Sequence, residues 1–396
     1  MSGAPNARTG DDVSAFAFEP TPAAAQARLA AVKPSDYARS RNRLDGAVTG
    51  LSPYLTHGLL TMPRVVQALG LPMAHKLVFE LGWREFFHHA WRHDGERIFS
   101  SLHAGPRADT AYARELPADL REGRCGVPAI DLAVRQLYEH GWLHNHARMW
   151  LASYAVHLRG VHWRAGADWM FGHLLDGDLA SNHLSWQWVA GTGSHKPYLF
   201  NADNIAKYAP PAWHSPGTAV DHCYAALEQQ ARSGGDVGPE PGEHPGIAEP
   251  PRLPAPDAHH GFGPPDPQAV AGRDVWLVHA WALADPPLDL PADTCVVAVL
   301  DANFHRRWPW SANRWRFVGE RMAALTPHRW IADAPTLLQA LRAARRVCGH
   351  GNLHLGMLGD ALGLPPMPRA FDDPPNRCLS FSAFWSRQSG AQGRLF

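Results

Sequence analysis

At 396 residues the chain exceeds what one hydrophobic core usually supports, so two domains are the starting expectation. Lys and Arg number 37, as do Asp and Glu, so no overall positive field marks a nucleic-acid binder, although a local basic groove fits inside a neutral total. Five widely spaced cysteines without a C-x-x-C pair exclude the usual zinc, iron–sulfur and thioredoxin signatures, and there is neither an apolar run of about 18 residues nor a secretory signal pattern, so a cytoplasmic protein with free thiols, no metal and no membrane contact is expected.

Residues 1 to about 20 are polar with small residues and Pro, and read as a flexible leader. From about 21 to 212 the apolar residues recur three and four apart, notably over Leu77 to Trp91, Ile130 to Leu137 and Met149 to Leu158, which predicts an all-helical unit. Between about 213 and 272 Pro, Gly, Ala and Asp dominate, and that stretch reads as a linker unable to fold alone. The remainder, 273–396, brings two short apolar runs, Val275 to His279 and Cys295 to Leu300, then amphipathic stretches Arg314 to Leu325 and Leu337 to Arg345. Strands alternating with helices predict a small Rossmann-like α/β domain with a parallel sheet, so the fold class is α + α/β.

Sixteen tryptophans stand out in this composition, and core packing is the ordinary use of most of them. The most informative segment is Asp176 to Gly193. Asp178 is a plausible N-cap, and the helix after it puts Asn182 and Trp186 four apart on one face. A carboxylate, an amide and an indole on one surface suit a flat, hydrogen-bonding, redox-active ring, while the bland alternative is a capped helix with a Trp core. Glu80, Trp83 and Arg84 share a stripe by the same spacing, as do Asn145, Arg148 and Met149; for Glu80 and Arg84 the commoner meaning is a helix-surface ion pair.

These segments, in this order, resemble the DNA photolyase and cryptochrome family, whose pattern runs LSPYL, ELxWREF, GWxHNxxRM and DGDxAxNxxxWQW; here they are Leu51 to Leu55, Glu80 to Phe86, Gly141 to Met149 and Asp176 to Trp188. The resemblance implies a FAD cofactor, with Tyr37, Thr49 and Ser52 on its phosphates and Arg84 and Asn145 lining it. It also implies an Arg148–Asp176 pair beside the flavin, Asp178 on the ring and Asn182 opposite the redox-active ring nitrogen. Where the family usually has Thr-Ser before LSPYL, this chain has Val48-Thr49-Gly50, one hydroxyl short. Lys196 to Asp203 replaces the usual segment after Gly193. Trp186 and Trp163 match the first two members of an electron-hopping chain whose third position falls on Thr110, with Tyr112 or Trp169 as substitutes and core packing as the alternative role.

By the same resemblance Trp83 and Trp188 wall a pocket for a flipped-out pyrimidine dimer, Glu80 bonds a thymine and Met149 lies beneath it; base flipping by photolyases is itself a standard example of that behaviour. Relatives acting on the 6-4 photoproduct carry His where this chain has Asn145 and Met149, so the implied activity is light-dependent repair of cyclobutane dimers, as a deoxyribodipyrimidine photolyase on UV-damaged DNA, by a monomer. His146 replaces an Arg that usually meets DNA phosphate. The alternatives are a cryptochrome-type photoreceptor without repair and a flavin-binding relative without photochemistry. Residues 275 to 287, 297 to 301 and 381 to 385 are similar to the family's antenna domain, which normally comes first; a circular permutation is implied, with the antenna chromophore unknown.

Overall fold

The structure, a computed structural model, describes residues 17–194 and 196–388, so most of the leader expected over 1–20 lies outside the described residues. About half of it is helical, joined to a small parallel sheet. The helices that build the site are α1 (Pro34–Ser40), α2 (Ser52–Thr56), α3 (Lys76–Asp94), α4 (Asn145–Ser153), α5 (Trp163–His173) and α6 (Leu179–Ala190). After α4 the backbone widens into one π turn over Tyr154–Leu158, so the periodic run read as reaching Leu158 is two elements. Helix α6 starts where the Asp178 side chain accepts from the Ser181 amide, and stops at Gly191, whose φ of 83° only glycine adopts without strain.

The stretch read as a linker builds no core of its own, yet it is not structureless. It carries helix α7 (Tyr224–Ser233), and beyond it the chain lies along the helical unit, exchanging its backbone bonds with loops there: Val237 N to Leu158 O, Glu240 N to Cys125 O and Ile247 N to Glu122 O. Two ion-pair anchors fasten it. Arg159 forks onto Asp119 and also reaches Asp236, and Arg121 pairs with Glu249. Strand β1 (Arg252–Leu253) then pairs antiparallel with β4 (Trp310–Ser311).

The α/β unit holds β2 (Asp274–His279), β3 (Cys295–Asp301), β5 (Arg329–Ala332) and β6 (Arg346–Gly349) in one parallel sheet of order β5-β3-β2-β6, with α8 (Ala312–Leu325) among its crossovers. The central pair reads as unbroken apolar runs because it is covered on both faces. The outer strands β5 and β6 are short and begin with arginine, and the helix predicted over Leu337 to Arg345 is Ala334–Leu341 because Arg346 already pairs with Asp274. One apolar cluster runs from Leu51, Tyr54 and Trp142 through Phe171 to Val275, Val297 and Phe317, so both units share a core. Helix α9 (Phe381–Gln388) returns to pack on α3 through Phe381 against Phe79 and Trp83 and through Phe384 against Phe86.

Candidate functional site

A cavity of about 620 Å³ opens between α1, α3, α4 and α6, within the roughly 300–1,000 Å³ of small-molecule sites. Tyr37, Thr49, Ser52, Glu80, Trp83, Arg84, Asn145, Arg148, Met149, Asp176 and Trp188 all line it. A smaller recess of about 180 Å³ shares Asn145, Arg148, Met149 and Asp176 with it and adds Asp178, Asn182 and Trp186. The structure thus brings together every site residue singled out in the sequence except Trp163, which is buried behind the recess with its indole donating to Ser101 Oγ (2.9 Å).

The floor is the turn between α5 and α6. Arg148 donates from Nη2 to Asp176 Oδ2 (2.8 Å) and from Nε to Leu143 O (2.9 Å), which fixes the guanidinium where it lines the cavity. Asp176 Oδ1 and Ser181 Oγ line the cavity, are buried, and have no hydrogen-bond partner. Orphaned buried groups are rare, and a hydroxyl beside a carboxylate oxygen is the donor–acceptor set that the polar edge of a flavin ring satisfies. Asn182 donates Nδ2 to Ala167 O (2.8 Å). The rim has the character a phosphate needs: Thr49, Ser52 and Arg41 converge there, and Gly50, with φ of 61°, occupies the place of the missing hydroxyl residue because the backbone turns left-handed at that point. The residues present therefore fit FAD.

Two expected contacts are arranged otherwise. Glu80 does not pair with Arg84; Lys76 (3.0 Å) and Arg41 (3.6 Å) flank it, while Arg84 turns inward to Thr56 Oγ1 (3.3 Å) and toward Asp178 (3.5 Å). Asp178 borders the recess, but its oxygens are committed to the Ser181 amide (2.8 Å) and to His88 Nε2 (2.8 Å). Burial works against this carboxylate, yet His88 and Arg84 outweigh burial and hold it well below its usual range. Sequence reasoning missed Arg41, Ser181 and His88. Arg41 follows Tyr37 at helical spacing and Ser181 is the residue Asp178 caps, so both had a local signal; His88 meets Asp178 only through the fold.

On the aromatic side, Trp83 lines the cavity while Phe381 of α9 stacks on it at 4.0 Å and 11°. Trp188 is 41% exposed at the rim, tilted against Tyr198. Trp186 is buried where α5 offers Gly166, since a Cβ there would lie 2.3 Å from the indole. From Trp163 the ring contacts lead through His162 (5.7 Å) to the half-buried Tyr112 (6.2 Å), whereas Trp169 packs with Tyr138 and His173.

Comparison with known proteins bears on residues 77–212, which match the FAD binding domain of DNA photolyase. The chain is 37% identical over 166 residues to a deoxyribodipyrimidine photo-lyase of Streptomyces griseus, covering 40% of this chain and 36% of that one. It is 31% identical over 212 residues to a cryptochrome DASH of Ostreococcus tauri, covering 49% and 39%. A Synechocystis sp. PCC6803 cryptochrome structure aligns at 28% identity over 48% of this chain and 44% of that one, with a TM-score of 0.43. The chain spans less than half the length of the curated relatives it matches. Among the described residues no helix is long and apolar enough to cross a membrane. Residues 77–212 match a FAD-binding domain of the photolyase type, and it is through this region that the chain is similar to photolyases and cryptochromes.

Proposed function

We propose that the protein is a deoxyribodipyrimidine photolyase, repairing cyclobutane pyrimidine dimers in UV-damaged DNA with FAD and light. The observation that carries the proposal is that Glu80, Trp83, Met149 and Trp188 line the same cavity as the Arg148–Asp176 pair, so an extruded pyrimidine dimer and the cofactor would share one chamber. Bound and reduced, FAD would supply the light-driven one-electron chemistry that dimer splitting needs. The protein's own residues do the rest. Arg148, held by Asp176, presents positive charge that favours the reduced anion, and the amide of Asn182 adds no repulsion to it. Arg41, Tyr37, Thr49 and Ser52 hold the phosphate end, while Arg84 and Asn145 close the wall. Trp83 and the exposed Trp188 give two stacking faces, Met149 an apolar support, and Glu80 an acceptor steadied between Lys76 and Arg41. Trp186, with Trp163 and Tyr112 beyond it, is the proposed route for re-reduction. Residues 273–388 are assigned as the antenna-like unit, placed after the flavin unit.

The test is illumination of the reduced protein with an oligonucleotide carrying one thymine dimer, read as restored thymine absorbance. Wild type repairs it. Glu80→Gln slows the reaction, Trp188→Ala weakens damage binding by about 1–3 kcal/mol, and Trp186→Phe slows photoreduction of oxidised flavin. A 6-4 substrate stays unrepaired, because Asn145 and Met149 carry no imidazole. Normal photoreduction with no preference for the dimer and no splitting would instead favour the photoreceptor reading, which the cryptochrome DASH relative supports.

A further inference from the structure

Four backbone polar groups in and beside the Asp176–Asp178 turn are held by side chains from elsewhere. Leu175 O faces His57 Nε2 (2.8 Å), Asp176 O accepts from the Thr56 hydroxyl (3.3 Å), Gly177 O accepts from Arg314 Nη2 (2.6 Å), and the Leu179 amide donates to His354 Nε2 (3.2 Å). Arg314 and His354 both belong to the α/β unit, although no residue beyond Val189 lines either cavity.

Arg314 is fully buried and has no carboxylate bonded to it. Its guanidinium lies 3.9 Å over the Trp310 ring, Nη1 reaches Phe171 O at the end of α5 (3.3 Å), and a Cβ on Gly177 would sit 2.4 Å from Nη1, so the fork is wedged against the glycine peptide. A buried cation without an ion pair is expensive, and a neutral residue of similar size would pack there at lower cost. Burial pushes Arg314 down to about 9, opposed by Asp176 and Asp178, so it keeps its charge at neutral pH. His354 is oriented by its bond to Asn352 Oδ1 (2.7 Å) and by stacking on Trp281 at 4.5 Å and 12°, which leaves Nε2 as the acceptor for the first amide of α6.

We propose that Arg314 and His354 are positioning residues of the flavin site: the α/β unit clamps the Asp176–Asp178 turn from behind and so completes a pocket to whose wall it contributes nothing. The inference rests on the reading of the cavity as the flavin site. Arg314 acts through the turn, aiming Asp176 at Arg148 and adding positive charge behind both carboxylates; His354 fixes where α6, with Asn182 and Trp186, begins.

The experiment uses full-length apoprotein titrated with FAD, the flavin midpoint potential of the loaded protein, and thermal unfolding. Arg321, on the same helix α8 and also buried, bonds Leu283 O and Asp285 away from the turn, so Arg321→Met is the matched control. Arg314→Met should bind FAD about tenfold more weakly, the loss expected from leaving two buried carbonyls unpaired, with a lowered midpoint potential because a cation has been removed. Arg321→Met should lower the unfolding temperature and leave affinity and potential at wild type. Arg314→Lys, which keeps the charge and can bond one carbonyl, should retain the potential and recover part of the affinity; it carries the same test if Arg314→Met does not fold. His354→Leu should weaken FAD binding in the same direction. Wild-type affinity and potential in the Arg314 variants, or equal shifts in Arg314→Met and Arg321→Met, overturns the clamp. A wild-type protein that takes up no FAD sinks the flavin reading itself.

Discussion

Asp178 shows how many tasks one carboxylate takes on in this site. It caps α6 through the Ser181 amide, accepts from His88, and sits 3.5 Å from Arg84, all at 2% exposure. Substituting Asn keeps a capping oxygen but removes the negative charge that faces His88 and Arg84; substituting Ala removes the cap as well. Asp178→Asn should therefore cost about 1–3 kcal/mol in urea unfolding and Asp178→Ala about 1 kcal/mol more, with flavin occupancy falling in both. Identical midpoints for the three proteins would show that the cap and the ion contacts carry no energy. The cap was legible in the sequence because an aspartate three residues ahead of a serine opens a helical pattern. Its charge partners were not, since His88 lies 90 residues away along the chain and nothing local on α3 indicates what it faces.

At the scale of elements, α3 and α9 depend on a notch at Gly82. A Cβ there would lie 2.2 Å from the Trp385 ring, and Phe79 and Phe86 frame the same contact through Phe381. Gly82→Ala gains helix propensity on α3 but must displace the indole, and overpacking of this kind costs about 1–3 kcal/mol. The expected outcome is faster cleavage by protease just ahead of α9; unchanged cleavage would mean that Trp385 yields freely. The sequence shows α3 clearly by its periodicity and shows Phe381 to Trp385 as an aromatic cluster, yet apolar spacing does not say which surfaces meet. That pairing is set by a glycine whose role is the absence of a side chain.

For the molecule as a whole, the buried histidines set the response to acid. His279 donates Nε2–H to His350 O and accepts from the Trp281 amide, and His157 bonds Val189 O; burial pushes each down to about 4. An unfolded histidine titrates near 6.5, so between about 6.5 and 4 the unfolded chain binds protons that the fold excludes. Their contribution is complete above pH 6.5 and is lost as pH falls through that window, at up to about 1.4 kcal/mol per pH unit for each. Unfolding free energy should thus drop by about 2 kcal/mol per buried histidine from pH 7 to pH 5, and His279→Gln should flatten the slope; an unchanged slope would place the titration elsewhere. The sequence divides the chain into a helical part, a Pro-rich stretch and an α/β part. It does not reveal that one apolar cluster passes from Leu51 to Val297, because an apolar run carries no record of its partner.

The stacking of Phe381 on Trp83 constrains recognition. With one face of the indole taken at 4.0 Å and the ring held in a cage of Phe86 and Phe87, Trp83 is a fixed jaw. It cannot swing to grip a planar guest from both sides, whereas Trp188, 41% exposed at the rim of the same cavity, is not enclosed in this way. If the cavity takes an extruded base as proposed, a vise with one stationary jaw would gauge the thickness of what enters it, and selection would rest on the gap that Trp188 has to close.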